Sequence, residues 1–329
     1  MPAEPAALPQ AEQAALAGLT EAQKEKYRAD GWVVVERLFT EAECDALVTH
    51  MDEVHAGRRP MGGFTPPAPD APHAIDADQV HIYDQTCLEF LRHPKLEAPL
   101  RDCLANDIWG VTGGEPEGIK SHYWWKGSNW SQGWHTDGTA LPGCMGVWIP
   151  LVDVDDEIGT LGLHTGSHDL PSGLQILHDD LRVEGKWQGQ RTHSGDGEIR
   201  ARLTQQVLEE NEGRGKVPVT ICAPKGSAVF FSGQLQHRGV FGSDPEVRRD
   251  VIASHYISTE YREWPHVLWE RVGFDGVRRW ATGAELTPAA AANAVTAAPV
   301  TPPRPSVPKR PPPGGLLLPP PLPPASSPV

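Results

Sequence analysis

The segment Gly133-Trp134-His135-Thr136-Asp137-Gly138 sets a histidine and an aspartate two residues apart. On an extended backbone, residues i and i+2 project to the same side, so an imidazole and a carboxylate can meet one metal ion from a single strand end. Two ligands are not a site, and an H-x-D pair arises by chance in many sequences. A third candidate, His237, follows the apolar, strand-like run Gly226-Ser227-Ala228-Val229-Phe230-Phe231. Two histidines and one carboxylate on one face of an octahedron leave the other positions open, which is what iron(II) needs to take a chelating co-substrate and dioxygen. Arg248 lies eleven residues after His237, at the opening of Arg248–Ile257, and is expected on a strand adjoining the one that delivers His237. A buried guanidinium there pairs with a carboxylate through two parallel hydrogen bonds, as Lys cannot. By period-2 alternation Arg249 then faces the opposite way, towards solvent or a surface ion pair.

These residues must be held by surrounding elements. Thr20 caps a short polar helix that ends at Gly31, and the β-branched run Trp32-Val33-Val34-Val35 reads as a buried strand. Thr40-Glu41-Ala42-Glu43 and Thr86-Cys87-Leu88-Glu89 are capping boxes that open two further helices, the second running to Leu104 with an interruption at Pro94. Residues 58–80, rich in Pro, Gly and Asp, form a long loop expected over a site. From about residue 107 short apolar or aromatic runs alternate with Gly and Pro: Ile119–Trp125, Met145–Leu151, Val217–Cys222, Ala228–Phe231 and Asp250–Ile257. That rhythm predicts an antiparallel sandwich or barrel. The polar stretch 174–212 reads as an insertion between strands, with a helix around Ile199–Glu210, placed to shape a substrate mouth.

The domain is therefore expected to span 20–286, with a helical front over 20–106 and a β core over about 107–260. Residues 1–19 read as a flexible lead-in. The segment 287–329 takes 15 of the 33 prolines, so it cannot bury enough surface to offset its ordering entropy and reads as disordered, with docking to a partner as its other reading.

The 329 residues, 39% hydrophobic with eleven Trp, suffice for a sizeable core. A formal charge of -14 repels phosphate backbones and anionic membranes, which argues against nucleic-acid and membrane partners. Five scattered cysteines with no C-x-x-C pair fit neither a disulfide framework nor a zinc knuckle, and suit a reducing cytoplasm.

The chain resembles the phytanoyl-CoA dioxygenase-like branch of the iron(II)/2-oxoglutarate oxygenases from about Gln23 to Tyr256. The resemblance rests on Tyr27-Arg28-Ala29-Asp30-Gly31-Trp32-Val33-Val34-Val35, Trp134-His135-Thr136-Asp137, Trp148-Ile149-Pro150-Leu151-Val152-Asp153 followed by Gly159-Thr160-Leu161, Gly166-Ser167-His168, and His237 with Arg248. It implies a double-stranded β-helix, a cupin-like jelly-roll with helices packed outside. It also implies oxidative decarboxylation of 2-oxoglutarate to succinate and carbon dioxide, coupled through dioxygen to oxidation of a substrate C–H bond. On this resemblance His135, Asp137 and His237 are iron ligands, Arg248 binds the distal carboxylate of 2-oxoglutarate, and Lys126, where family members often carry Lys, faces the co-substrate, with a surface position as its other reading. Two departures stand out: Thr165 replaces the usual Pro before Gly-Ser-His, and Arg238-Gly239 replaces the Gly-Ser that usually follows the distal histidine. Among competing functions, a halogenase would need Ala or Gly in place of Asp137. A silent jelly-roll binding module would have no use for an intact triad. An acyl-CoA or lipid-like substrate is the alternative to a small metabolite or biosynthetic intermediate.

Overall fold

Thr20 and Thr40 each accept a hydrogen bond from the backbone N–H three residues on, while Gln23 and Glu43 reach back to the cap residues' own N–H groups. Two orphan donors are thus satisfied at each start, and the helices α1 (Glu21–Asp30) and α2 (Glu41–His55) follow. Gly31 ends α1 in the left-handed region at φ 80°, where a Cβ is disfavoured. A short turn α3 (Val80–Tyr83) leads to α4 (Gln85–Leu91), which the Asp84 side chain caps by accepting from the Cys87 N–H at 3.0 Å. The expected Thr86 capping box is therefore not formed. Asp84 competes for the cap one turn position earlier, and the Thr86 hydroxyl faces His50 Nδ1 instead. Pro94 opens a new helix, α5 (Pro94–Asn106), where its missing N–H costs nothing. The computed structural model describes residues 17–62, 64–66, 75–107, 113–125, 134–139, 143–169, 205, 208–243, 247–261 and 270–279. Residues 63 and 67–74 of the expected loop 58–80, nearly all of the insertion 174–212, and the tail 287–329 lie outside them.

Among the described residues eleven strands form two antiparallel sheets. The larger has the order β1 (Trp32–Val35), β7 (Ala228–Ser232), β4 (Met145–Pro150), β9 (Val251–Ser258), β3 (Pro116–Trp125), β10 (Arg271–Gly273) and β11 (Arg278–Arg279), with β2 (Ile75–Asp78) also paired to β3. The smaller is β6 (Pro218–Thr220), β5 (Gly159–His164) and β8 (His237–Phe241). A backbone bridge between His135 and His237 joins the segment before β4 to the start of β8. The fold is a double-stranded β-helix with helices on its outside. β8 and β9, expected to adjoin, fall in different sheets, because β9 pairs with β3 and β4 while β8 pairs with β5.

Period-2 alternation gives the larger sheet two apolar faces. Tyr123, Met145, Val147, Phe230, Ile252 and Tyr256 pack outward against Leu47, Met51, Leu91 and Leu100 of the helices. Trp148, Val229, Phe231 and Val251 point the other way and meet Leu161, Leu163 and Ile221 of the smaller sheet's side. Tyr256 and Phe230 are fully buried, and cutting such a ring back to Ala costs about 3–5 kcal/mol. The Tyr256 hydroxyl donates to Leu91 O at 2.6 Å, which pins the outward face of β9 to α4. Among the described residues no helix is long and apolar enough to cross a membrane.

Candidate active site

His135 and His237 exchange backbone hydrogen bonds, His135 N to His237 O at 3.0 Å and His237 N to His135 O at 2.9 Å. This narrow pair brings their rings to 4.2 Å between centroids. Asp137 follows two residues on, in a 3-10 turn (Asp137–Thr139) fixed by the Gly138 N–H on Gly233 O. Its carboxylate oxygens lie 3.8 Å from His135 Nε2 and 3.4 Å from His237 Nε2. One ligand atom from each residue falls within 4.8 Å of the others, a spacing that fits a single metal ion. The His237 tautomer is set by its surroundings: Nδ1 lies 3.0 Å from Leu235 O, which can only accept, so Nδ1 carries the hydrogen and Nε2 keeps its lone pair for the site. Burial alone would raise the Asp137 carboxyl, but the neighbouring His255, His237 and His135 hold it well below the usual carboxylate range. The donor set is two imidazole nitrogens and a carboxylate oxygen, the composition that suits a non-haem iron(II) centre.

The two arginines are the reverse of the sequence expectation. Arg248 turns away from the cavity: its guanidinium grips Asp52 of α2 at 2.6 and 3.0 Å and also binds Asp250. Arg249 lines the cavity together with Val251, Ala253 and His255, the inward positions of β9. The reason is that alternation fixes facing along one continuous extended stretch, as within β9, and not by counting residues from His237 on another strand. Arg249 reaches across to the smaller sheet and donates from Nη1 to Val240 O at 3.1 Å and Thr160 O at 3.3 Å. Its Nε–H is buried with no partner among the described residues. Burial without a carboxylate beside it pushes the guanidinium below its ordinary pKa. An anion is the partner this arrangement lacks. Lys126 lies outside the described residues.

The remaining cavity wall is aromatic and basic. Trp148 of β4, Phe231 of β7, and Lys120, His122 and Trp124 of β3 line it. The His122 ring stacks on Trp124 at 4.2 Å, and His122 and Lys120 share Asp78 at 3.3 and 3.5 Å. Trp125, by contrast, faces the helices and donates to Met51 O, and Trp134 sits under Arg238 and beside His164. His168 is structural, its Nε2 lying 3.2 Å from Arg28 O. The sequence reading passed over His255, whose Nε2 lies 2.8 Å from Asp137 Oδ2. Its signal was the spacing Arg249, Val251, Ala253, His255, which becomes visible once the inward register is known.

The profile described as Phytanoyl-CoA dioxygenase (PhyH) matches residues 27–240. An L-proline trans-4-hydroxylase from Streptomyces griseoviridis is 24% identical over 241 residues, 71% of this chain and 84% of that protein. An ectoine dioxygenase from Bordetella bronchiseptica is 23% identical over 237 residues, covering 70% and 73% respectively. Among solved structures, the non-heme alpha ketoglutarate dependent epimerase SnoN from nogalamycin biosynthesis aligns with a TM-score of 0.53 at 18% identity, over 84% of this chain and 95% of that one. That last likeness is one of fold.

Proposed function

This chain belongs to the phytanoyl-CoA dioxygenase family, and from that premise we propose that it is an iron(II)- and 2-oxoglutarate-dependent dioxygenase that hydroxylates a C–H bond of a small molecule. The observation that carries the assignment of the site is the convergence of His135, Asp137 and His237 on one point of a cavity into which Arg249 brings an unpartnered, buried guanidinium N–H. His135 and His237 would hold the iron through Nε2, and Asp137 through a carboxylate oxygen. When bound, the iron and 2-oxoglutarate supply dioxygen activation, with release of succinate and carbon dioxide and oxidation of the substrate. Arg249, not Arg248, would bind the distal carboxylate of 2-oxoglutarate. Its backbone acceptors Thr160 O and Val240 O fix the plane of the guanidinium before the co-substrate arrives, so little entropy is lost on pairing.

The family, the L-proline trans-4-hydroxylase and the ectoine dioxygenase support a small metabolite or biosynthetic intermediate as substrate. The stacked His122 and Trp124, together with Trp148, line the cavity and offer the substrate flat apolar contact, and Lys120, which shares Asp78 with His122, lines it as well. Asp137 stands where a halogenase would leave a vacancy for chloride, so oxygen transfer is the outcome we assign. Five unpaired cysteines, four of them buried, fit a reducing cytoplasmic setting. Anaerobic addition of iron(II) and 2-oxoglutarate should give the weak visible charge-transfer band of the chelate, and succinate release should then identify a substrate from a panel of small metabolites. A chain that binds metal yet gives no band with 2-oxoglutarate refutes the assignment and leaves a silent binding module.

A further inference from the structure

We propose that His255 is a positioning residue for Asp137: its Nε2–H holds one carboxylate oxygen, so that Asp137 presents the other to the metal in a fixed direction. The inference rests on the reading of His135, Asp137 and His237 as metal ligands. Asp137 sits in a short 3-10 turn rather than in a strand, so its carboxylate is oriented by side-chain contacts rather than by strand pairing. His255 supplies one from β9, with Nε2 2.8 Å from Oδ2. A carboxylate only accepts, so Nε2 must carry the hydrogen. That nitrogen then has no lone pair for a metal. The other ring nitrogen, Nδ1, is buried with no partner among the described residues, and the metal-competent cluster comprises His135, Asp137 and His237 without His255.

The surroundings fix His255 in turn. It lies in the middle of the larger sheet, paired with Lys120 of β3 on one side and Gly146 of β4 on the other, and it is only 8% exposed. The neighbouring Tyr256 is anchored on the outward face through Leu91 O, so the strand cannot slip without breaking a buried hydrogen bond. Hydrogen-bond partners that orient a metal's ligands typically account for about ten- to a hundredfold in metal affinity.

The test titrates the full chain with Mn(II), following the free-ion signal by electron paramagnetic resonance, for the wild type, His255→Leu, His255→Asn, His255→Gln and His135→Ala. His255→Leu should weaken Mn(II) binding about ten- to a hundredfold while the circular dichroism spectrum is retained. His255→Gln, whose amide N–H reaches about as far as Nε2, should restore most of the affinity. His255→Asn is too short and should resemble His255→Leu; this comparison carries the test if the leucine variant fails to fold. Equal affinity in the wild type, His255→Leu and His255→Asn overturns the proposal, as does a glutamine variant no better than asparagine. If His135→Ala binds Mn(II) as tightly as the wild type, the ligand assignment itself falls, and the role of His255 falls with it.

Discussion

Replacing Arg249 by Lys keeps the charge in the cavity and removes the planar fork. In the structure Nη1 is committed to Thr160 O and Val240 O, and the buried Nε–H, without a partner among the described residues, is a donor left for an incoming carboxylate. A lysine ammonium at the same position must choose between the backbone acceptors and the co-substrate. The loss is about one charge-assisted hydrogen bond, roughly 1.5–3 kcal/mol, so the 2-oxoglutarate concentration giving half-maximal succinate release should rise about ten- to a hundredfold. Iron binding should be unchanged. Arg248→Lys is the matched control, since Arg248 differs from Arg249 by one residue and by one face of the strand. Its bonds go to Asp52 and Asp250, so it should leave the 2-oxoglutarate dependence alone and lower the melting temperature by a few degrees, from about 1–2 kcal/mol of weakened pairing to the buried Asp250. The assay is 2-oxoglutarate titration of both variants, with thermal melting alongside. If Arg248→Lys loses co-substrate affinity and Arg249→Lys does not, the inward register of β9 is wrong, and the placement of His255 beside Asp137 is wrong with it.

His135→Ala and His237→Ala should each abolish stoichiometric iron(II) binding and substrate-linked succinate release while retaining the wild-type circular dichroism spectrum, because among the described residues the triad has no spare protein ligand; tight iron binding by either variant would count against the site. His81 gives a pH-dependent prediction. It is fully buried with both ring nitrogens unpartnered among the described residues, and burial, helped by Arg278, pushes its pKa down to about 3. A histidine held neutral in the fold gives its full stability above its unfolded pKa, about 6.5, and loses it as pH falls from there towards the folded value, by at most about 1.4 kcal/mol per pH unit. His81→Leu should therefore flatten the fall in urea-unfolding free energy between pH 6.5 and pH 4. An unchanged slope would mean that His81 is already protonated in the fold.

Much of this was legible in the residues because it is local. The boxes at Thr20 and Thr40, the left-handed glycine at Gly31 and the runs that became β3, β4, β7 and β9 depend on interactions within a few positions. Of the cluster His135, Asp137 and His237, the first two were legible for the same reason, since they are two residues apart, and the structure brings His237 to them across a hundred positions. β5 was harder to see as a strand, because Gly159 and Gly162 break its apolar pattern, and its identity comes from pairing with β6 and β8. β2, β10 and β11 are short and are stabilised by the edge of β3 or by each other. What could not be read was which residues face each other across the two sheets: the contact of His255 with Asp137 spans 118 positions.

The misplaced arginine shows how a charge pattern encodes facing. Residues two apart on extended backbone share a side, and Arg248 and Asp250 form an i, i+2 pair of opposite sign. Such a pair satisfies itself, and here Asp52 and the Tyr123 hydroxyl complete it on the helix side. Arg249 has no acidic residue at i±2, where Val247 and Val251 stand. A guanidinium between valines on an inward face is costly unless an anion comes to it. The same strand thus uses one face to bind α2 to the sheet and the other to present Arg249 and His255 to the cavity. Changes on the outward face should therefore act on stability, and changes on the inward face on ligand affinity. Asp52→Asn tests this division from the helix side: it removes one partner of Arg248, should lower the melting temperature through an exposed pair worth about 0–1 kcal/mol, and should leave the half-saturating 2-oxoglutarate concentration unchanged. A shift in that concentration comparable to the one expected for Arg249→Lys would show that the two faces are coupled and that the strand does not separate them.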